Sequence, residues 1–327
     1  MSSFNKHRYD KMIYNRCGRW GVKFPAISLG GWQTYGGYVD DETSKKCLFR
    51  AFDLGITHFD FANNYGEPNG NCETVCGKII KQMPRDELLI SSKAGFDMWP
   101  GPYGEWLSKK YLVSSLDQSL KRLQLDYVDL FYAHRPDPNT PTDEVMDALD
   151  LIVRQGKALY VGLSNHTAED IRAKHAHAVA HHTARPIINQ NAYSMLDRHV
   201  EDGVIDACRD CGMGLIPFVP LAQGALTDKY LKQNAPPDSR LARSEDECAA
   251  ALKNRDPIEK IRKLNDIAKR RGQTLAQLAI IWLLRHRETV SVLIGASRPE
   301  QIEENGAALD NPTLSQDELN EIEAILK

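Results

Sequence analysis

Tyr127-Val128-Asp129-Leu130-Phe131-Tyr132-Ala133-His134 is the run whose reading decides the fold. It is short, apolar on both faces and rich in aromatic and branched residues, as a strand covered on both sides of a parallel sheet must be. It ends on a histidine. Two earlier runs behave alike: Thr57-His58-Phe59-Asp60-Phe61-Ala62 carries Asp60 with Tyr65 just beyond, and Leu88-Leu89-Ile90-Ser91-Ser92-Lys93 ends on a lysine. Helix-length segments separate the three. Adjacent parallel strands lie ~4.8 Å apart, so an acid, a phenol, an amine and an imidazole at neighbouring strand ends fall within side-chain reach. Such a set can deliver a proton.

Working outward, β-branched apolar runs alternate with amphipathic ones for nearly the whole chain. Candidate strands begin near Ile27, Thr57, Leu88, Tyr127, Ala158, Pro186, Gly214 and Val290, which favours a closed (β/α)8 TIM barrel over an open doubly wound sheet. Leu112, Leu116, Leu120 and Leu123 make one apolar helical stripe. Thr140 is expected to cap a helix whose first position is Pro141, and Ser315-Gln316-Asp317-Glu318 reads as a capping box opening an extra C-terminal helix. Residues Met12 to Pro25, around Cys17-Gly18-Arg19-Trp20-Gly21, predict an N-terminal β-hairpin closing the far end of the barrel. Without a linker or internal repeat, residues 1–327 read as one domain. Two segments break the rhythm, Ala94 to Leu107 and Gly224 to Pro257, and both follow strands, on the face where barrel sites are built.

With 41 Lys+Arg against 44 Asp+Glu and a net charge of -3, there is no electrostatic reason to expect nucleic acid or an anionic membrane as partner. The start, Met1-Ser2-Ser3-Phe4-Asn5-Lys6, lacks a signal peptide's apolar core, and no apolar run is long enough to span a bilayer, so a cytoplasmic protein is expected. Seven cysteines, an odd number, fit reduced thiols. Cys208-Arg209-Asp210-Cys211 has no second pair or nearby histidine, and His175, His177, His181 and His182 lack the carboxylate of a zinc helix, so no metal site is expected.

In their order along the chain, Asp60-Phe61-Ala62-Asn63-Asn64-Tyr65-Gly66, Ser92-Lys93, His134-Arg135-Pro136, Gly162-Leu163-Ser164-Asn165, Gln190, Pro220-Leu221-Ala222-Gln223-Gly224 and Gly295-Ala296-Ser297-Arg298 with Glu304-Asn305 resemble the aldo-keto reductase family. The likeness covers almost the full length. The chemistry of the residues agrees with it. A carbonyl accepting hydride develops negative charge on oxygen and needs a proton donor there. Tyr65 can serve if its phenol, ordinarily near pKa ~10, is made more acidic by Lys93, with Asp60 holding the ammonium and His134 orienting the carbonyl.

The resemblance further implies NADP(H), bound without the Rossmann glycine fingerprint, which this chain lacks after its first strand. It assigns Ser164, Asn165 and Gln190 to the nicotinamide carboxamide and Tyr193 or Phe218 to its ring. Pro220, Leu221, Ala222, Gln223 and Lys229 are assigned to the pyrophosphate, and Val219, Arg240 and Asp60 to the cofactor site more generally, with Gly31 and Trp32 at the first strand end. Ser297, Arg298, Gln301, Glu304 and Asn305 are assigned to the adenosine end, and Gly295 to the cofactor site. Asp228 stands where the family often has Gly, and Ala296 and Gln301 replace a Lys and an Arg that many monomeric members use for the 2′-phosphate.

That pattern is more similar to the branch holding voltage-gated potassium channel β-subunits and bacterial reductases of L-glyceraldehyde 3-phosphate, and the run from Gly95 to Gly104 is especially similar to the latter. It implies a reductase of small aldehydes, L-glyceraldehyde 3-phosphate and methylglyoxal among them, with homo-oligomerisation open. Trp32, Trp99, Tyr103 and Trp106 are expected to wall the substrate pocket beside Tyr65 and His134. Amides near Gly101 and Gly104, with Arg135 or Lys110, are expected to meet a phosphate. The alternatives are a cofactor-bound regulatory subunit, opposed by His134 where channel β-subunits typically have Asn, and a metal-dependent barrel hydrolase, for which only His58 and His134 stand on strands.

Overall fold

The computed structural model describes residues 4–227 and 255–327. Eight parallel strands form one sheet, in the spatial order β10, β3, β4, β5, β6, β7, β8, β9. They are β3 (Ile27–Gly30), β4 (His58–Asp60), β5 (Leu89–Ala94), β6 (Val128–Ala133), β7 (Ala158–Ser164), β8 (Pro186–Ala192), β9 (Gly214–Phe218) and β10 (Val292–Ile294). The sheet closes just before β10, where the Leu215 amide donates to Glu288 O at 2.7 Å and the Val290 amide to Leu215 O at 2.9 Å. The result is the expected TIM barrel, each strand starting within two residues of the position read from sequence.

The helices α1 (Asp41–Asp53), α2 (Asn71–Ile80), α3 (Lys109–Leu123), α4 (Thr142–Arg154), α5 (Ala168–Ala180) and α6 (Val204–Cys211) cover the outside with α7 (Arg255–Arg270), α8 (Leu275–Leu283) and α9 (Pro299–Gly306). The extra helix is α10 (Gln316–Leu326), opened by the Ser315/Glu318 capping box. In α3 the four predicted leucines are all buried, and Ser108 caps the first turn by accepting from the Tyr111 amide. One cap differs from expectation. Pro141, not Thr140, is the N-cap of α4, because the Thr140 hydroxyl donates instead to Asp137 at 2.6 Å, holding the loop after β6.

The hairpin of β1 (Tyr14–Arg16) and β2 (Lys23–Pro25) plugs the N-terminal end of the barrel. Cys17 and Phe24 pack there with Leu130, Ile188 and Ile216, and the Cys17 thiol donates to Ile187 O at 3.2 Å. That apolar floor leaves the C-terminal mouth as the open end. Strand alternation then decides what faces inward: on β5, Ser91 and Lys93 point into the barrel while Ser92 meets Glu73 of α2 outside. Of the two irregular segments, residues 94–107 are described and 228–254 lie outside the described residues.

Candidate active site

Asp60 ends β4 in register with Ser91, and Lys93 lies two residues further along β5 on the same inward face, within reach of the acid. The Lys93 ammonium donates to Asp60 Oδ2 at 2.5 Å, to Phe61 O at 2.8 Å and to the Tyr65 hydroxyl at 3.3 Å. An ammonium has three protons, so these partners satisfy it completely. Because the Tyr65 oxygen accepts from Lys93, its own proton is free to point elsewhere. Tyr65 sits on the turn after β4, its amide donating to Ala62 O at 3.1 Å and its carbonyl receiving the amides of Gly70 and Cys72, also at 3.1 Å. Asp60 Oδ1 accepts from Ser91 Oγ at 2.5 Å and from Gln190 Nε2 at 3.3 Å.

Burial governs the protonation of this group. It lowers the Lys93 pKa, a shift that the Asp60 charge opposes. The Tyr65 phenol is raised well above its ordinary value by burial and by the Asp60 charge. The structure therefore corrects the expectation of an acidified phenol: desolvation of the phenolate outweighs the neighbouring cation, and Tyr65 rests protonated. His134 is held well below the ordinary histidine range, first by burial and then by Lys93 and Arg135, so its ring is neutral.

His134 follows β6, and its ring meets Tyr65 edge-on with centroids 5.8 Å apart. Phe96 stands edge-on to the other side at 4.7 Å. Phe96 was not singled out from the sequence, and its place three residues past Lys93 in the aromatic loop was the available signal. Nδ1 of His134 is buried with no partner. Asn165, in left-handed backbone at φ 61°, donates from Nδ2 to His134 O at 3.0 Å and to Ser164 Oγ at 3.3 Å. Among the described residues this leaves Asn165 Oδ1 as an unused acceptor and the Ser164 hydroxyl proton as an unused donor. A carboxamide needs one of each, so this strand end fits the amide of a nicotinamide.

Between the two candidate ring partners the structure separates the positions. Tyr193 is buried, donates its hydroxyl to Glu201 at 2.5 Å and packs on Trp282 toward the helices. Phe218 packs with the barrel-interior cluster at the end of β9. Directly after it, Val219, Ala222 and Gln223 all have positive φ, at 55°, 45° and 56°. Strained backbone of this kind gathers at ligand clamps, and these three residues lie within the stretch assigned to the dinucleotide. Lys229 and Arg240 lie outside the described residues.

Gly31 packs tightly, since a Cβ there would stand 2.6 Å from Cys72 Sγ, and Trp32 beside it is 41% exposed. Further round the mouth, Gly295, Ser297 and Arg298 follow β10, and Arg298 is the N-cap of α9. The Ser297 amide and hydroxyl both donate to Gln301 Oε1, at 2.8 and 3.2 Å. On α9, Asn305 is buried and Glu304 exposed. In the aromatic loop Trp99 rests on Tyr111 with centroids 5.1 Å apart, while Tyr103 is exposed with the Lys110 ammonium 5.4 Å from its ring. Trp106 lies under Arg135, whose guanidinium already pairs with Glu105 and donates to Gly95 O at 2.9 Å.

Among the described residues no group of three or more His, Cys, Asp or Glu side chains could hold a metal ion. No helix there is long and apolar enough to cross a membrane. The Aldo/keto reductase family model matches residues 26–327. An Escherichia coli O157:H7 protein named L-glyceraldehyde 3-phosphate reductase is 47% identical over 98% of this chain and 94% of its own length. A Schizosaccharomyces pombe protein bearing the name of a voltage-gated potassium channel subunit beta is 39% identical over 95% of this chain and 92% of its own. An Arabidopsis thaliana protein with a similar name is 38% identical, over 97% of each chain.

Proposed function

The chain belongs to the aldo/keto reductase family, and we propose that within it the protein is an NADPH-dependent reductase of small aldehydes, preferring L-glyceraldehyde 3-phosphate and reducing methylglyoxal less efficiently. One observation carries the chemistry: the Lys93 ammonium, fixed by Asp60 and Phe61 O, donates to the oxygen of a protonated Tyr65. When bound, the reduced dinucleotide supplies the hydride. Tyr65 gives its proton to the carbonyl oxygen as negative charge develops there, and the phenolate left behind is stabilised by Lys93. Neutral His134 donates its ring N–H to the same oxygen and fixes the carbonyl. Ser164, Asn165 and Gln190 hold the carboxamide, Phe218 supports the ring, and the strained turn from Val219 to Gln223 carries the phosphates.

The substrate assignment is supported by the 47% identical relative's name and by the aromatic loop beside His134. It is tested by kcat/KM for L-glyceraldehyde 3-phosphate, unphosphorylated glyceraldehyde and methylglyoxal with NADPH. A clear advantage for the phosphorylated aldehyde is expected. Parity with glyceraldehyde would remove the phosphate from the recognition scheme and leave a general aldehyde reductase.

A second reading, a dinucleotide-bound regulatory subunit, is favoured by the 39% and 38% identical relatives. Rapid NADPH oxidation with any of these aldehydes excludes a purely regulatory role. Tight dinucleotide retention without turnover would establish it.

A further inference from the structure

Beneath Asp60 runs a polar chain that this chemistry leaves unused. Ser291 Oγ lies 2.5 Å from Ser28 Oγ, which lies 2.8 Å from Nδ1 of His58, and Nε2 of His58 lies 3.0 Å from Ser91 Oγ. Ser91 then reaches Asp60 Oδ1 at 2.5 Å. All five side chains are 0% exposed. Proton counting fixes the direction of every link. A carboxylate only accepts, so Ser91 donates to Asp60 and must itself accept from Nε2–H of His58. Nδ1 of a neutral His58 is then an acceptor, Ser28 donates to it, and Ser291 donates to Ser28. Burial holds the His58 pKa down at about 4, which keeps the ring neutral.

We propose that this chain, with every donor aimed at Asp60, makes His58 and Ser91 positioning residues for the proton donor: they fix Oδ1 and polarise the carboxylate so that Oδ2 holds the Lys93 ammonium against Tyr65. Hydrogen bonds in series strengthen one another in a low-dielectric interior. The chain does not conduct protons to solvent. Its lower end is sealed by fully buried Ser291 and by Phe24, whose ring stands edge-on to His58 at 4.9 Å. The charged and titratable groups acting on this unit are Asp60 and Lys93 on His58, and Asp60, Cys72 and Glu73 on Lys93; Asp60 and Cys72 also act on Tyr65.

The inference rests on the reductase reading, so its test has one arm that needs no turnover. Nitrogen-15 NMR of the full-length protein is expected to find His58 neutral at pH 7 with its proton on Nε2. A proton on Nδ1, or an imidazolium, overturns the directed chain. In the second arm Ser91→Ala is expected to lower kcat for aldehyde reduction about tenfold, the size of one charge-assisted hydrogen bond. KM for the aldehyde and NADPH affinity should stay within about twofold, since Ser91 touches neither. The acidic limb of the reverse alcohol oxidation, in which the Tyr65 phenolate is the base, should move to higher pH, because a Lys93 proton leaning toward Asp60 stabilises that phenolate less. Ser28→Ala should do the same more weakly. A lower Tm with unchanged kcat and pH profile would show the chain to be structural only. A parent protein that reduced no aldehyde would sink the reductase reading, and the tautomer would still decide the chain.

Discussion

Two buried acids are served by three consecutive residues of β5, and only one belongs to the candidate site. Inside the barrel, Ser91 and Lys93 hold Asp60; outside, Ser92 donates to Glu73 Oε1 at 2.5 Å, and Arg122 pairs with Glu73 Oε2 at 2.8 Å. Both carboxylates are buried. The difference lies in the cation's remaining donors. Arg122, whose pairing with Glu73 already ties α3 to α2, directs its next donor at Ser119 Oγ of its own helix, 3.2 Å away. Lys93 directs its last proton at a phenol that can change its own protonation. A buried ion pair is therefore no sign of chemistry by itself; a titratable group resting on the cation is.

The sharpest way to break the comparison is on the inner face. Tyr65→Phe should lower kcat for aldehyde reduction about a thousandfold, within the range of lost general acids, with NADPH affinity within a few-fold and Tm nearly unchanged. Lys93→Met should be comparably slow. Retained turnover in Tyr65→Phe would mean that the proton comes from elsewhere. The outer face should invert the pattern. Arg122→Met leaves Glu73 buried without its cation and should destabilise the fold by about 3 kcal/mol, with kcat/KM within about twofold. If Arg122→Met instead slowed turnover at unchanged stability, the two faces would be coupled.

Acid should expose the same division. His58 and His166 are buried, with pKa values lowered to about 4 by burial. Between the unfolded value near ~6.5 and about 4, the unfolded chain binds protons that the folded chain refuses, so stability rises with pH there and is lost on acidification. At pH 5 the loss is about 2 kcal/mol for each ring. A Tm that stayed flat from pH 7 to pH 5 would show that these rings are already protonated or solvated in the native protein.

How much of this was legible beforehand follows from what each feature depends on. The barrel came from strand length and two-sided burial, which are local properties, and Asp60, Tyr65, Lys93 and His134 came from their positions at successive strand ends. Ser28, Ser91 and Ser291 carry no such mark. A buried serine matters through whom it meets across a sheet, and the Ser28 to Ser291 contact spans 263 positions of chain. Strand parity could have paired Ser91 with Lys93, two residues apart on one face. The raised phenol escaped for a related reason: the neighbouring cation is visible in sequence, whereas the desolvation that outweighs it is a property of the closed barrel.

The smallest effect is expected where charge stands in water. Arg298 is 54% exposed at its side chain, and its nearest ion-pair partner, Glu300, is 4.0 Å away. On the proposed NADPH reading this N-cap of α9 would meet the 2′-phosphate, but the adjoining Ser297 amide is already engaged by Gln301. Among the described residues one exposed cation then carries most of the discrimination, and exposed ion pairs contribute ~1 kcal/mol or less. Arg298→Ala should accordingly lower kcat/KM with NADPH by about fivefold and leave the NADH value unchanged. Gln301→Ala, which frees the Ser297 donors for the phosphate, should raise the NADPH value slightly. Equal losses with both cofactors in Arg298→Ala would mean that the arginine shapes the helix start and does not read the phosphate. Selectivity would then have to arise elsewhere on the mouth.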